Sequence, residues 1–191
     1  FGTKEGFKLI CLRGRLMQEA ALQQPSAMLA VLKLSADQVE GLCGQFDQVY
    51  PVNYNCPGQT VVALAQNQLA GFTEAVLAHG GKTLALAVSG GFHSPFMAEA
   101  KTGLDKALSK IACQAPVLPI YANSTALPYE ASEAAIKETV ARQVMQPVQW
   151  QGSIENMLAV GVDTFIEVGP GKTLTNLIKK ISPGAAAFNV E

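Results

Sequence analysis

Residues 26–89, SAMLAVLKLSADQVEGLCGQFDQVYPVNYNCPGQTVVALAQNQLAGFTEAVLAHGGKTLALAVS, contain the clearest alternation of strand and helix patterns in the chain. Apolar runs at 28–34, 50–54, 60–65 and 83–88 predict four strands. One helix follows a capping box that begins at Ser35, and a second ends at Gly80-Gly81. This order of elements is typical of the ferredoxin-like arrangement. We therefore predict a ferredoxin-like βαββαβ subdomain over 26–89.

The residues on either side of this unit also alternate between helix and strand. Helical spacing of apolar residues predicts helices at 4–22, 94–111, 133–144, 153–158 and 172–181. Short apolar runs predict strands at 118–122 and 164–168. Such alternation indicates an α/β layer architecture. We expect residues 1–25 and 90–191 to form one α/β core, with the 26–89 unit inserted into it.

Composition excludes several classes of function. Of the 191 residues, 49% are hydrophobic and 15% are charged, which is ample for a buried core. A net charge of −1 provides no electrostatic attraction for nucleic acid or an anionic membrane. No apolar run approaches the roughly 18–20 residues that span a bilayer. The four cysteines are scattered and only two histidines are present, so we expect no metal site and a reducing, cytoplasmic location.

The segment GGFHSPFM at 90–97 places a histidine between a predicted strand and a predicted helix. Ser94 and Pro95 are typical of a helix start, so His93 falls at the end of a strand, where α/β proteins carry their chemistry. His93 is a candidate general base, with a structural histidine as the alternative. No serine of the chain fits the G-x-S-x-G nucleophile elbow, so a nucleophile for His93 must lie elsewhere.

Two further motifs suggest residues that bind a ligand, and a third fails to match a nucleotide-binding loop. Arg13 lies among apolar residues of the first predicted helix, where an unpaired guanidinium is costly. We therefore expect Arg13 to pair with a carboxylate or a phosphate. The alternative is that this face of the helix is solvated. Asn53 and Asn55 are two apart in a strand, which favours either an amide pair lining a cleft or turn residues. GPGKT at 169–173 is not a Walker loop, because Ile166 stands where that motif requires glycine.

Taken together, five segments resemble the malonyl-CoA:acyl carrier protein transacylases, the acyltransferases of fatty acid and polyketide synthesis. They occur in the family's order across essentially the whole chain: RGRLM at 13–17, NYNCPGQ at 53–59, GFHSPFM at 91–97, RQ with PVQW at 142–150, and EVGPGK at 167–172. One such motif alone would be weak. Five in register indicate membership of this family.

The resemblance implies a fold and an activity. The fold is a hydrolase-like three-layer α/β core with an inserted ferredoxin-like subdomain, in agreement with the 26–89 pattern. In the family, a serine attacks the thioester of malonyl-CoA, and the resulting acyl-enzyme passes its malonyl group to the phosphopantetheine thiol of acyl carrier protein. The implied partners are malonyl-CoA and acyl carrier protein. No cofactor and no metal are expected, and the full-length protein is expected to be a monomer.

The resemblance also assigns roles to residues of this chain. The position of His93 is the general base, and the position of Gln143 supplies a backbone carbonyl that orients the imidazole. The position of Arg13 binds the malonyl carboxylate. Phe92 resembles the malonyl-type signature, because a bulky ring fills the space that an α-methyl group needs. Two more residues are expected to line the same pocket: Met17 and Asn55.

The chain departs from the family at one point of consequence. The family's Gly-His-Ser-Leu-Gly elbow and its N-terminal oxyanion loop are expected to lie upstream of Phe1. We therefore expect an incomplete core and negligible turnover by these residues alone. One alternative is a non-catalytic module that binds carrier protein, but 26–91 has only Lys33 and Lys82 to attract an acidic partner. The other is an acyltransferase domain of a polyketide synthase, which would require flanking linkers.

Overall fold

The computed structural model describes residues 1–191 and contains seven α-helices and six strands. The helices are α1 (Thr3–Gln23), α2 (Ala36–Cys43), α3 (Leu69–Ala78), α4 (Ala98–Leu108), α5 (Glu133–Arg142), α6 (Trp150–Ala159) and α7 (Thr173–Ile181). The strands are β1 (Ser26–Leu32), β2 (Val49–Cys56), β3 (Gln59–Ala65), β4 (Lys82–Ala85), β5 (Thr164–Val168) and β6 (Ala186–Val190). None of the helices combines the length and hydropathy needed to cross a membrane.

Four strands form one antiparallel sheet in the order β2-β3-β1-β4. The central pair, β1 and β3, is in register along its full length, from Ser26 opposite Ala65 to Leu32 opposite Gln59. Helix α2 connects β1 to β2, and α3 connects β3 to β4. The capping box predicted at Ser35 is present, since its hydroxyl accepts from the Gln38 amide and the Gln38 side chain accepts from the Ser35 amide.

Both faces of the central strands β1 and β3 are buried, which explains why these two strands are continuous apolar runs. Successive residues alternate between two cores: Met28 and Val61 face the core that includes α1 and α4, whereas Leu29 and Val62 face the core that includes α2 and α3. The sheet is therefore the middle layer between two layers of helices. We call the face that packs against α1 and α4 the inner face, and the face that packs against α2 and α3 the outer face.

The C-terminal region forms a smaller unit. Strands β5 and β6 pair in parallel, and a third core of Ile154, Phe165, Ile178 and Ala187 lies between them and helices α6 and α7. The carboxylate of Glu167 on β5 accepts hydrogen bonds from the first-turn amides of α7, including the Thr175 amide at 2.8 Å. The bond from the Thr175 amide, with those from the Thr175 hydroxyl and the Leu174 amide, lowers the pKa of Glu167.

The predicted mixed α/β architecture is confirmed, but the strand predicted at 118–122 is wrong. The backbone of this segment forms hydrogen bonds with the loop that follows it. The Ala122 amide donates to the Leu127 carbonyl, and the Tyr129 amide donates to the Ile120 carbonyl, both at 2.9 Å. Only one isolated bridge, between Tyr121 and Pro128, results. Pro119 also removes a donor that a central strand would need.

Other boundaries differ from the pattern-based prediction. Strand β4 ends at Ala85, not at 88, and the helix after His93 begins as a 3-10 turn, Pro95–Met97, before α4. Strand β6 was not predicted, because its five residues become a strand only by pairing with β5.

Replacing Phe72 tests the core between the sheet and helices α2 and α3. Its ring is fully buried and meets Phe46 edge-on, with the centroids 5.5 Å apart. We expect Phe72→Ala to lower the free energy of unfolding by about 3–5 kcal/mol, because it leaves a cavity. Leu77→Ala on the same helix is the control; Leu77 is 55% exposed, so a change within about 0.5 kcal/mol is expected. Urea denaturation measures both, and equal effects would contradict this description of the core.

Candidate active site

A cavity of about 480 Å³ lies where α1, the inner face of the sheet and the loop before α4 meet. It contains two groups capable of chemistry, the imidazole of His93 and the guanidinium of Arg13. Its other lining residues are Gly14, Met17, Gln18, Met28, Asn53, Leu86, Val88 and Phe92. None of the ten carries a hydroxyl or a thiol, so the cavity offers a base and a cation but no nucleophile.

Two glycines allow the loop that carries His93 to approach the sheet and α1. A Cβ on Gly90 would lie 2.5 Å from Cβ of Ala21, and a Cβ on Gly91 would lie 2.5 Å from the ring of Phe96. The amide of Gly91 donates to Oγ of Ser26 at 2.7 Å, which ties the loop to the start of β1. The local sequence therefore positions the histidine by close backbone packing.

Ser94 is the hydroxyl next to His93 in sequence, but it is committed to the fold. It is 1% exposed, its Oγ donates to the Gly91 carbonyl at 2.5 Å, and it accepts from the Phe96 amide at 3.3 Å. The second bond caps the N-terminus of the helix that follows, and the first ties the hydroxyl to the glycine loop. The structure therefore gives Ser94 no role as a nucleophile for its neighbour.

His93 is held at two points by the C-terminal end of α5. Its backbone amide donates to the Val144 carbonyl at 3.0 Å, and its ring Nδ1 donates to the Gln143 carbonyl at 2.7 Å. Its φ of 60° lies in the left-handed region that a non-glycine residue adopts only when its surroundings impose it. Because a carbonyl can only accept, Nδ1 carries the hydrogen and Nε2 keeps a free lone pair.

The surroundings favour a neutral imidazole. Burial lowers the pKa of His93, and the positive charge of Arg13 lowers it further, whereas the Gln143 and Gln146 backbone contacts oppose the shift. A neutral ring with a free Nε2 is the form that accepts a proton in general-base catalysis.

Arg13 is half-buried and has no carboxylate within salt-bridge distance. Burial lowers its pKa, but a guanidinium remains charged at neutral pH. Arg15, two residues later and on the other side of the same helix, is exposed and pairs with Glu19. Of these two arginines, Arg13 is thus the one available to bind an anion in the cavity.

The cavity also includes Met17 and Phe92, as the sequence predicts, but not Asn55. Asn53 lines it instead, with a buried Oδ1 that has no hydrogen-bond partner. Irregularities in the pairing of β2 with β3 lie between Pro51 and Asn53 and again just past Tyr54, so the simple alternation that would place both amides together fails. The structure thus places Asn53 in the cavity, where the sequence predicts Asn55.

A second cavity, of about 470 Å³, is predominantly apolar and has Cys113 and Tyr129 as its titratable side chains. It has no convergent base and cation, so the cavity with His93 is the better candidate for chemistry. No three His, Cys, Asp or Glu side chains lie close enough together to hold a metal ion.

A family model described as the acyl transferase domain matches residues 1–186. The chain belongs to the acyl transferase domain family. It is 37% identical over 181 residues to the malonyl CoA-acyl carrier protein transacylase of Escherichia coli K12, covering 93% of this chain. The family resemblance predicted from the sequence is therefore confirmed.

Solved structures of this family have the same fold. An acyl carrier protein S-malonyltransferase from Vibrio cholerae superposes with a TM-score of 0.94 at 34% identity, covering 100% of this chain and 63% of that one. A malonyl-transacylase in complex with a type II polyketide acyl-carrier protein gives a TM-score of 0.93 at 34% identity, covering 100% of this chain and 62% of that one. The chain spans 58% of the length of the E. coli relative.

The protonation of His93 can be measured directly. His79→Gln leaves a single histidine, whose imidazole we expect to titrate by NMR with a pKa below 6.5. Between the folded and unfolded pKa values the unfolded chain binds more protons, so the free energy of unfolding should fall as the pH drops through this range.

The control is His79→Gln combined with His93→Asn, in which this part of the pH dependence should disappear. An imidazole pKa at or above 6.5 would contradict the assignment of His93 as a buried, neutral base.

Proposed function

We propose that this chain is the greater part of a malonyl-CoA:acyl carrier protein transacylase, with His93 as general base and Arg13 as carboxylate-binding residue. The observation that carries the proposal is their meeting in one cavity. The imidazole is oriented by the Gln143 carbonyl, and the guanidinium has no acidic partner. The E. coli and Vibrio relatives, by their names, handle malonyl groups and acyl carrier protein.

The reaction would proceed by two acyl transfers. A serine outside these 191 residues gives its proton to Nε2 of His93 as its oxygen attacks the malonyl thioester. The C–S bond then breaks, the CoA sulfur leaves with the proton from His93, and malonyl-serine remains. The carrier protein's thiol next gives its proton to Nε2 and takes the acyl group, and the serine regains a proton. Neither half-reaction requires a cofactor or a metal.

The Gln143 carbonyl would replace the aspartate of many catalytic triads. It accepts the Nδ1 hydrogen and selects the tautomer with a free Nε2, as an aspartate does, without bringing a negative charge. A charged partner would also attract Arg13, which is needed for the substrate's carboxylate. A neutral acceptor therefore keeps the base and the anion-binding group independent in one cavity.

Arg13 and Phe92 would select the acyl group. An acetyl group lacks the carboxylate that pairs with Arg13, and leaving such a guanidinium unpaired in a cleft typically costs about 2–5 kcal/mol. The ring of Phe92 lines the cavity and fills space that an α-methyl group would need. We infer a preference for malonyl over acetyl and methylmalonyl thioesters.

We also propose that the domain division follows the family. The strand order β2-β3-β1-β4, with all neighbours antiparallel and helices after β1 and β3, supports a ferredoxin-like subdomain at 26–89. Residues 1–25 and 90–191 then form the larger part of a hydrolase-like core. The complete enzyme would be a cytoplasmic monomer whose partner is an acyl carrier protein of fatty acid or polyketide synthesis.

The source of the nucleophile is open to a direct assay. Residues 1–191 alone, mixed with malonyl-CoA and phosphopantetheinylated carrier protein, should give negligible malonyl transfer. A chimera in which the E. coli relative supplies the part of its length that this chain does not cover should restore transfer. In the chimera, His93→Ala should reduce kcat by at least about 10³-fold. Transfer by the 191 residues alone would show that the nucleophile is among them.

Arg13 is tested in the same chimera. Arg13→Gln should reduce kcat/KM for malonyl-CoA by about 30-fold or more, the loss expected for a carboxylate pair in a cleft, and leave acetyl transfer nearly unchanged. Arg15→Gln is the matched control, because Arg15 is exposed and pairs with Glu19. Equal losses for the malonyl and acetyl substrates would contradict a carboxylate-binding role.

A further inference from the structure

The side chain of Gln143, as well as its carbonyl, has a specific contact. Its Nε2 donates to the phenolic oxygen of Tyr129, fourteen residues earlier in the chain. Gln143 therefore contacts His93 through its backbone and Tyr129 through its side chain. Tyr129 lies in neither the His93 cavity nor any of the five family-like segments.

The Gln143 carbonyl needs an anchor because of its position. Gln143 is the C-cap of α5; its amide donates to the Thr139 carbonyl at 3.1 Å, and the chain leaves the helix immediately afterwards. Carbonyls in the last turn of a helix have no partner within the helix, and such ends fray. A change in the peptide orientation here would move the acceptor away from Nδ1 of His93.

Tyr129 is a suitable anchor. Its amide donates to the Ile120 carbonyl at 2.9 Å, and its ring lines the apolar cavity together with Ile136 and Val140 of α5. Burial raises the pKa of Tyr129, so its hydroxyl is neutral and can accept from the Gln143 amide. The ring is thus held against the same helix whose end it contacts.

We propose that Tyr129 is a positioning residue for the general base: by holding the side chain of Gln143, it fixes the carbonyl that keeps the Nδ1 hydrogen of His93. The consequence for acyl transfer rests on the proposed function. The effect on the imidazole does not, because it concerns only which ring nitrogen carries hydrogen. Tyr129 reaches His93 through Gln143 and is not itself a catalytic residue.

The experiment compares imidazole tautomers by nitrogen NMR in the 191-residue chain with His79→Gln, so that His93 is the only histidine. Tyr129→Phe keeps the half-buried ring and removes only the hydroxyl. We expect the ratio of the Nδ1–H to the Nε2–H tautomer to fall about three- to tenfold, the effect of weakening one neutral hydrogen bond. An unchanged ratio would overturn the proposal.

Two further variants separate positioning from packing. Gln143→Met removes the amide but keeps the backbone carbonyl, and should lower the ratio by a similar factor. The double variant Tyr129→Phe with Gln143→Met should lower the tautomer ratio little more than either single change, because both changes break the same contact. Tyr121→Phe, in the same loop and with no side-chain hydrogen bond, should leave the ratio unchanged. A fully additive double variant, or an equal effect of Tyr121→Phe, would assign the change to general loosening of the loop.

The chimera provides the kinetic readout. There, Tyr129→Phe should lower kcat for malonyl transfer by a factor similar to the tautomer change and leave KM for malonyl-CoA nearly constant, because Arg13 is untouched. A change in KM alone would contradict a role through His93. If the chimera is inactive even without substitutions, the proposed function fails, and the tautomer measurement still tests the role of Tyr129.

Discussion

Burial of both faces of the central strands β1 and β3 is the constraint on which the rest of the structure depends. The outer face is covered by helices that belong to the same βαββαβ unit, but the inner face is covered by α1 and α4, which lie on either side of that unit in sequence. Burying the sheet therefore brings together the segment before β1 and the segment after β4. Arg13 on α1 and His93 just before α4 become neighbours as a consequence of core packing.

The electrostatic design of the site follows from this packing. Burial and the charge of the unpaired Arg13 guanidinium both lower the pKa of His93 and so favour the neutral imidazole. A carboxylate behind the histidine would offset that effect and compete for the guanidinium. The carbonyl of Gln143 avoids both problems, at the cost of relying on the last turn of a helix, and the contact with Tyr129 stabilises that turn.

The success of sequence-based prediction varied with the range of the interactions involved. The capping box at Ser35, the helices and the strands of the antiparallel sheet depend on local patterns and were predicted to within a few residues. The strand at 118–122 failed because an apolar run forms a strand only beside a partner, and β6 was missed for the same reason. The resemblance pointed to Asn55, but Asn53 lines the cavity, because the pairing of β2 with β3 is irregular in a way that the residue pattern does not reveal.

The sequence by itself determined the type of elements, the glycine loop that carries His93, and the family to which the chain belongs. These follow from residues close together in the chain and from motifs in a fixed order. The resemblance implied that Gln143, fifty residues from His93, and Arg13, eighty residues from it, act together with the histidine. Only the tertiary structure decided how these groups meet, and that Asn53 and not Asn55 lines their cavity. Such contacts arise from the packing of the sheet between two helical layers, which no local pattern encodes, and the link from Tyr129 through Gln143 to the imidazole is visible only there.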